Sequence, residues 1–143
     1  MPLWLVFYSP GTFADDEAKH AFAEDVCSFY TDIGLPKFYV VIEFIKQSLS
    51  ETWVGAEKKD KPFIRLVVDH VANPFPEDDE IRHRGMEKIE KILKPHIADK
   101  GYDWEIHIDE TDRKLWRVNG FVPPPYQSEG EALWVKENRP VPY

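Results

Sequence analysis

Sixty positions apart, the chain repeats one kind of opening: Pro2-Leu3-Trp4-Leu5-Val6-Phe7-Tyr8 and Pro62-Phe63-Ile64-Arg65-Leu66-Val67-Val68. Each run is short, begins with a proline and is rich in apolar, β-branched or aromatic residues, the composition of a buried strand. The segments beyond the two runs match as well. After the first come the acids Asp15-Asp16-Glu17, then apolar residues at Phe22, Val26, Phe29, Tyr30 and Ile33, one face of a helix with its negative residues at the amino terminus. Thr12 is a candidate cap, Gly34 the expected stop, and Phe38 to Phe44 a second strand. After the second run come Glu77-Asp78-Asp79-Glu80, a helical face of Met86, Ile89, Leu93 and Ile97, the stop Gly101, and an alternating strand from Trp104 to Ile108.

The repeat predicts a single α+β domain of two tandem β-α-β units, residues 1–46 and 62–109. The loop 47–61 joins them, with a strand-like Thr52-Trp53-Val54-Gly55 inside it, and residues 114–143 form a carboxy-terminal arm. Right-handed crossovers put both helices on one face of a four-stranded, mainly parallel or mixed sheet. The other face, carrying aromatic residues among Trp4, Phe7, Tyr39, Phe44 and Phe63, is expected to pack against other subunits. Arg65, a charge among apolar neighbours, is expected to pair across such an interface. The tail holds two apolar islands, Leu115-Trp116 and Ala132 to Val135, stiffened by Pro123-Pro124-Pro125. It is either a lid over its own domain or an arm on a neighbour, with the arm preferred.

Twenty-six acids against eighteen bases leave a net charge of -8, which repels phosphate backbones and anionic lipid and so argues against nucleic acid and membrane surfaces as partners. The apolar opening ends at Ser9-Pro10-Gly11, too short for a secretory core or a span, and the lone Cys27 fits a reducing, cytoplasmic setting. There is no glycine-rich phosphate loop, no G-x-S-x-G elbow and no metal-ligand spacing, so no metal and no cofactor is implied.

Chemistry points instead to Pro2. Excision of an initiator Met before proline exposes a secondary amine, whose titration near ~8 falls further when apolar neighbours penalise the cation. A neutral, fixed amine takes a proton from carbon beside a carbonyl and returns it. If Met1 stays, the same nitrogen is an amide without basicity.

Met-Pro leading into a strand, the two units and the length together resemble the tautomerase superfamily, within it the cis-3-chloroacrylic acid dehalogenase group. Ala18-Lys19-His20-Ala21, Phe63-Ile64 and the stretch from Trp104 to Phe121-Val122-Pro123 carry the likeness. The resemblance implies a homotrimer with sites near the terminal prolines and a small carboxylate-bearing substrate. Of that group's partners only Pro2 matches. Phe29 or Tyr30 stands where the dehalogenase has a histidine, Asp69-His70-Val71-Ala72-Asn73 where it has two arginines, Ile106 at its tyrosine and Arg117 at its glutamate. These departures argue against haloacrylate hydrolysis.

The expected activity is an isomerase of the tautomerase kind, with Pro2 as general base and acid on a small keto, enol or unsaturated acid. Tyr30 or His107 would polarise the reacting oxygen, and Arg117, with His70, would hold the anion. Each has a plainer reading: core packing for Tyr30, ordinary hydrogen bonding for the histidines, a salt bridge to Glu110 or Asp112 for Arg117. The alternatives are hydration or decarboxylation of an unsaturated or oxo acid, and an oligomeric binding protein that keeps the fold without the chemistry.

Overall fold

A computed structural model describes residues 1–143. Strand β1 (Leu3–Tyr8) is the first of the two repeated runs, and helix α1 (Asp16–Thr31) returns the chain to β2 (Val41–Lys46). In the joining loop, the two-residue strands β3 (Trp53–Val54) and β4 (Glu57–Lys58) make a small hairpin. The second unit is β5 (Phe63–His70), which is the second repeated run, with α2 (Asp79–His96) and β6 (Asp103–Glu110). A third helix, α3 (Glu129–Glu137), lies in the tail.

The main sheet has the order β2-β1-β5-β6. Each inner strand runs parallel to the outer strand of its own unit, and the two inner strands meet antiparallel, with Val6 opposite Leu66. The sheet is therefore mixed, as two parallel crossovers placed head to tail. Asp15 caps α1 by accepting from the Ala18 N–H at 2.8 Å. Thr12, the expected cap, instead donates its hydroxyl to the Ser9 carbonyl at 2.8 Å and closes the turn after β1. Asp78 caps α2 in the same way as Asp15 caps α1.

Period-two alternation sends Trp4, Val6 and Tyr8 of β1, and Ile64, Leu66, Val68 and His70 of β5, toward the helices. There they meet Phe22, Val26 and Tyr30 of α1 and Ile89 and Leu93 of α2. Each large apolar side chain so buried contributes about 1.5–3 kcal/mol. Of the aromatics expected on the open face, Trp4 and Phe44 turn inward, because their register places them with Val6 and Ile42 on the helix side. Tyr39 lies in a short turn of 3-10 helix, Lys37–Tyr39, so the second strand starts later than its β-forming residues suggest. Leu5, Phe7, Phe63 and Val67 remain on the open face, half-buried. Arg65 on that face pairs with Glu105 of the neighbouring strand of its own chain, which corrects the intersubunit pairing expected of it.

The tail folds onto its own domain, so the arm expected to reach a neighbour is a lid here. Trp134 of α3 is fully buried and its indole N–H donates to the Val141 carbonyl at 2.7 Å. Tyr126 donates to the Ile33 carbonyl, and the Asn138 side chain accepts from the Phe38 N–H, both at 3.0 Å. Gly130 is needed because the Tyr143 ring lies 2.6 Å from where a Cβ would stand. No helix is long and apolar enough to cross a membrane.

Candidate active site

Antiparallel pairing of the inner strands sets Leu3 opposite Asp69, so the beginning of one strand lies against the end of the other. That places Pro2 beside His70 across a register no sequence spacing reveals. Between them and the helices opens a cavity of about 340 Å³, bounded by the end of α1 (Phe29, Tyr30, Ile33), the segment after β5 (His70 to Pro76) and the first turns of α2. Its walls are largely apolar. Two cations, Arg84 and Lys88, reach it from α2; four residues apart, they share one helix face.

A buried polar chain runs through the wall. The Trp4 indole N–H donates to the Tyr30 hydroxyl at 3.0 Å, and that hydroxyl lies 2.7 Å from Nε2 of His70. Trp4 is only a donor, so Tyr30 accepts from it and turns its own proton toward His70 when Nε2 is bare. Burial favours the uncharged form of both partners. It pushes the His70 imidazolium down to about 4, with the nearby amino terminus adding to the fall, and it pushes the Tyr30 phenol well above its usual range. Both groups are neutral near pH 7 and exchange hydrogen bonds rather than charge. The His70 ring stacks on Phe75 with centroids 5.3 Å apart. Phe75 in turn fits against α2 only because Gly85 has no Cβ, which would stand 2.5 Å from Cε1 of that ring.

The amino-terminal amine, borne by Met1 in this chain, is held down to about 4, by burial first and then by the positive Arg113. Arg113 donates to the carbonyls of Ala72 at 2.6 Å and Pro123 at 3.0 Å, and to that of Pro124, and so ties the tail to the cavity wall. With Met1 in place, this amine is therefore uncharged at physiological pH. That is the state a proton-abstracting nitrogen requires.

A model of the family described as "Putative oxalocrotonate tautomerase enzyme" matches residues 1–139. The chain belongs to this tautomerase family. RhCC from Rhodococcus jostii RHA1 is 42% identical over 99% of this chain and 99% of its own, with a TM-score of 0.91. A protein of the thermophilic fungus Aspergillus fumigatus, described as "a probable enzyme", is 38% identical over 100% of this chain and 98% of its own, with a TM-score of 0.90. N1, a member of the cis-3-chloroacrylic acid dehalogenase family, is 14% identical over 95% of this chain and 97% of its own, and at a TM-score of 0.67 it shares the fold. No curated protein matches the sequence.

In this member of the tautomerase family, the structure brings three of the five expected site residues together: Pro2, Tyr30 and His70 all line the cavity. His107 and Arg117 do not join them. His107 is exposed on the open sheet face, 3.6 Å from Asp109, because its neighbours Ile106 and Ile108 take the inward positions of β6. Arg117 is exposed and donates to the carbonyls of Trp116 at 2.6 Å and Lys114 at 3.2 Å, using its hydrogen bonds on its own turn. Arg84 and Lys88 escaped sequence reading because the charge-rich face of α2 looks like an ordinary solvated surface; their spacing of four was the usable signal. Arg113 left no such signal, since its three acceptors are backbone carbonyls. No cluster of three His, Cys, Asp or Glu side chains is placed to hold a metal ion.

Proposed function

We propose that this tautomerase-family protein is an isomerase in which Pro2, freed by excision of Met1, moves a proton between carbon and oxygen of a small keto or enol acid. The observation that carries the reading is the position of Pro2 in an apolar cavity beside two polar groups kept uncharged, at a chain end where burial holds even the Met1 amine uncharged. The neutral nitrogen takes a proton from the carbon next to the carbonyl, and the oxygen that gains charge accepts a hydrogen bond from the Tyr30–His70 pair. Delivery of that proton from the Pro2 ammonium to the oxygen completes the isomerisation. The substrate's carboxylate lies at the α2 end, against Lys88 and Arg84, the latter also paired with Glu80 at 3.2 Å on its own helix. Walls of aromatic and aliphatic side chains, Phe29, Ile33, Leu35 and Phe75, suit an acid with an apolar body.

On this reading the protein is a cytoplasmic homotrimer, with the half-buried apolar residues of the open sheet face turned toward neighbouring subunits. The test is keto–enol exchange of phenylenolpyruvate by protein whose intact mass shows that Met1 is gone. Pro2→Ala is expected to slow it by about 100-fold or more. Equal rates for the two proteins remove Pro2 from the mechanism.

A further inference from the structure

A neutral imidazole carries one N–H, so only one nitrogen of His70 has a hydrogen to offer a substrate. The neighbours divide the ring between them. Phe75 covers one face, stacked at 5.3 Å, and the Tyr30 hydroxyl lies 2.7 Å from Nε2. Glu110, opposite His70 in the parallel pairing of β5 with β6, uses Oε1 to accept from the Phe75 N–H. Nδ1 makes no hydrogen bond within the chain, yet it is not sealed off: the buried side-chain atoms left without a partner are the Tyr39 hydroxyl, Trp116 Nε1 and Glu131 Oε1. Nδ1 is therefore the free edge of a residue that lines the cavity with Pro2.

The contact between Tyr30 and Nε2 can be made with either group as donor. Were Nε2 protonated, the Tyr30 oxygen would accept from Trp4 and His70 at once, and its own buried proton would find no acceptor in the wall, a state native folds rarely keep. With Nε2 bare, the chain runs one way, Trp4 N–H to Tyr30 and Tyr30 O–H to His70, and every donor is used. Trp4 sets that direction because an indole can only donate. It is fully buried, edge-on to Phe22, and two positions beyond Pro2 on the same strand. We propose that Trp4 is a positioning residue for the His70 proton: by donating to Tyr30 it keeps Nε2 bare and Nδ1 protonated, and Nδ1–H is the donor that meets the reacting oxygen. Tyr30, its proton committed to His70, is the middle link of the chain rather than the group that touches that oxygen. The proposal deepens the Pro2 reading and rests on it for its catalytic meaning: Pro2 moves the proton, and a fixed N–H beside it stabilises the charge that develops on oxygen.

The test is a long-range 15N NMR spectrum of the five imidazoles in labelled, unmutated protein, with His70 assigned by its loss in His70→Phe. Bare and protonated ring nitrogens resonate far apart, so the tautomer is read directly. His70 is expected with Nδ1 protonated and Nε2 bare; a protonated Nε2 overturns the proposal without any variant. Trp4→Phe keeps a ring against Phe22 and loses the N–H, and it is expected to bring up the Nε2–H form. In Met1-free protein the same change should lower kcat for keto–enol exchange about 10-fold with KM within about two-fold, the mark of an interaction made in the transition state. A folded Trp4→Phe protein with an unchanged tautomer overturns the role of Trp4. Should that variant not fold, Tyr30→Phe, which removes the donor to Nε2, must shift the tautomer the same way, and an unchanged spectrum there overturns the proposal equally. Full activity in Pro2→Ala sinks the Pro2 reading and leaves the tautomer as measured. A Pro2-dependent rate that Trp4→Phe leaves intact while the tautomer changes sinks Nδ1–H as the donor instead.

Discussion

Pro2 and Pro62 occupy matching points of the two β-α-β units, and their backbones behave alike. Each precedes an inner strand, and its carbonyl accepts from the outer strand or the residue that opens it, from the Val41 N–H at 3.0 Å in the first unit and the Asp103 N–H at 3.1 Å in the second. The side chains around them have nothing in common. At the Pro62 end, Asp103 is ringed by Lys61 at 2.7 Å and Lys59 at 3.2 Å in water. At the Pro2 end, Trp4, Tyr30 and His70 form an uncharged chain in an apolar wall, and the tail closes over it through Arg113 and Tyr126. The same frame, used twice, yields an end lined by buried, uncharged polar groups and an end whose charged groups stand in solvent. What separates the two ends is burial rather than the backbone pattern.

The largest expected effect tests the tail's part in this contrast. Trp134→Ala removes a fully buried indole and its hydrogen bond to Val141, from the end of the molecule that Pro62 does not share. It should lower unfolding stability by about 3–5 kcal/mol, read from urea midpoints. A drop of less than about 1 kcal/mol, the scale of a surface change, shows that the lid is not anchored there. Next in size is the paired substitution at the two prolines. Pro2→Ala should cost about 100-fold or more in keto–enol exchange, whereas Pro62→Ala leaves the rate within about two-fold, since its surroundings hold no neutral acid or base. Equal losses at both positions erase the distinction between the two ends.

Much of the frame was legible because apolar periodicity reports burial directly. The sixty-residue echo, the acidic helix starts and the inward face of α1 all follow from which side chains must leave water. The site was half legible. Pro2 showed through its chemistry, Tyr30 through its place on a helix face, and His70 through its position at a strand end. That the three meet depends on antiparallel pairing of the inner strands, which local sequence does not encode. His107 and Arg117 misled because alternation and flanking hydrophobicity say that a residue borders the core, not which way it points.

A smaller effect comes from His70. Its imidazole stays neutral in the folded protein down to about 4, whereas the unfolded chain takes up a proton below the ordinary ~6.5. The stability that His70 contributes is present above that value and is lost as pH falls from there toward 4, at up to about 1.4 kcal/mol per pH unit. Urea midpoints measured between about pH 7 and about pH 5 should fall in the wild type and flatten in His70→Phe, which keeps a ring to stack on Phe75. Equal slopes mean that His70 is solvated, and the Pro2 end loses its claim to dryness.

The smallest effect belongs to the wet end. Lys61 and Lys59 hold the Asp103 carboxyl below its usual range, the Lys61 hydrogen bond leading. These ion pairs stand in solvent, where salt and competing water weaken them. Asp103→Asn should leave keto–enol exchange unchanged and shift the urea midpoint only at low ionic strength, the shift vanishing when salt is raised. A shift that persists in high salt would mean the pairs are shielded, so that the Pro62 end excludes water too. The dryness that distinguishes Pro2 would then have to be sought in the Trp4–Tyr30–His70 chain alone.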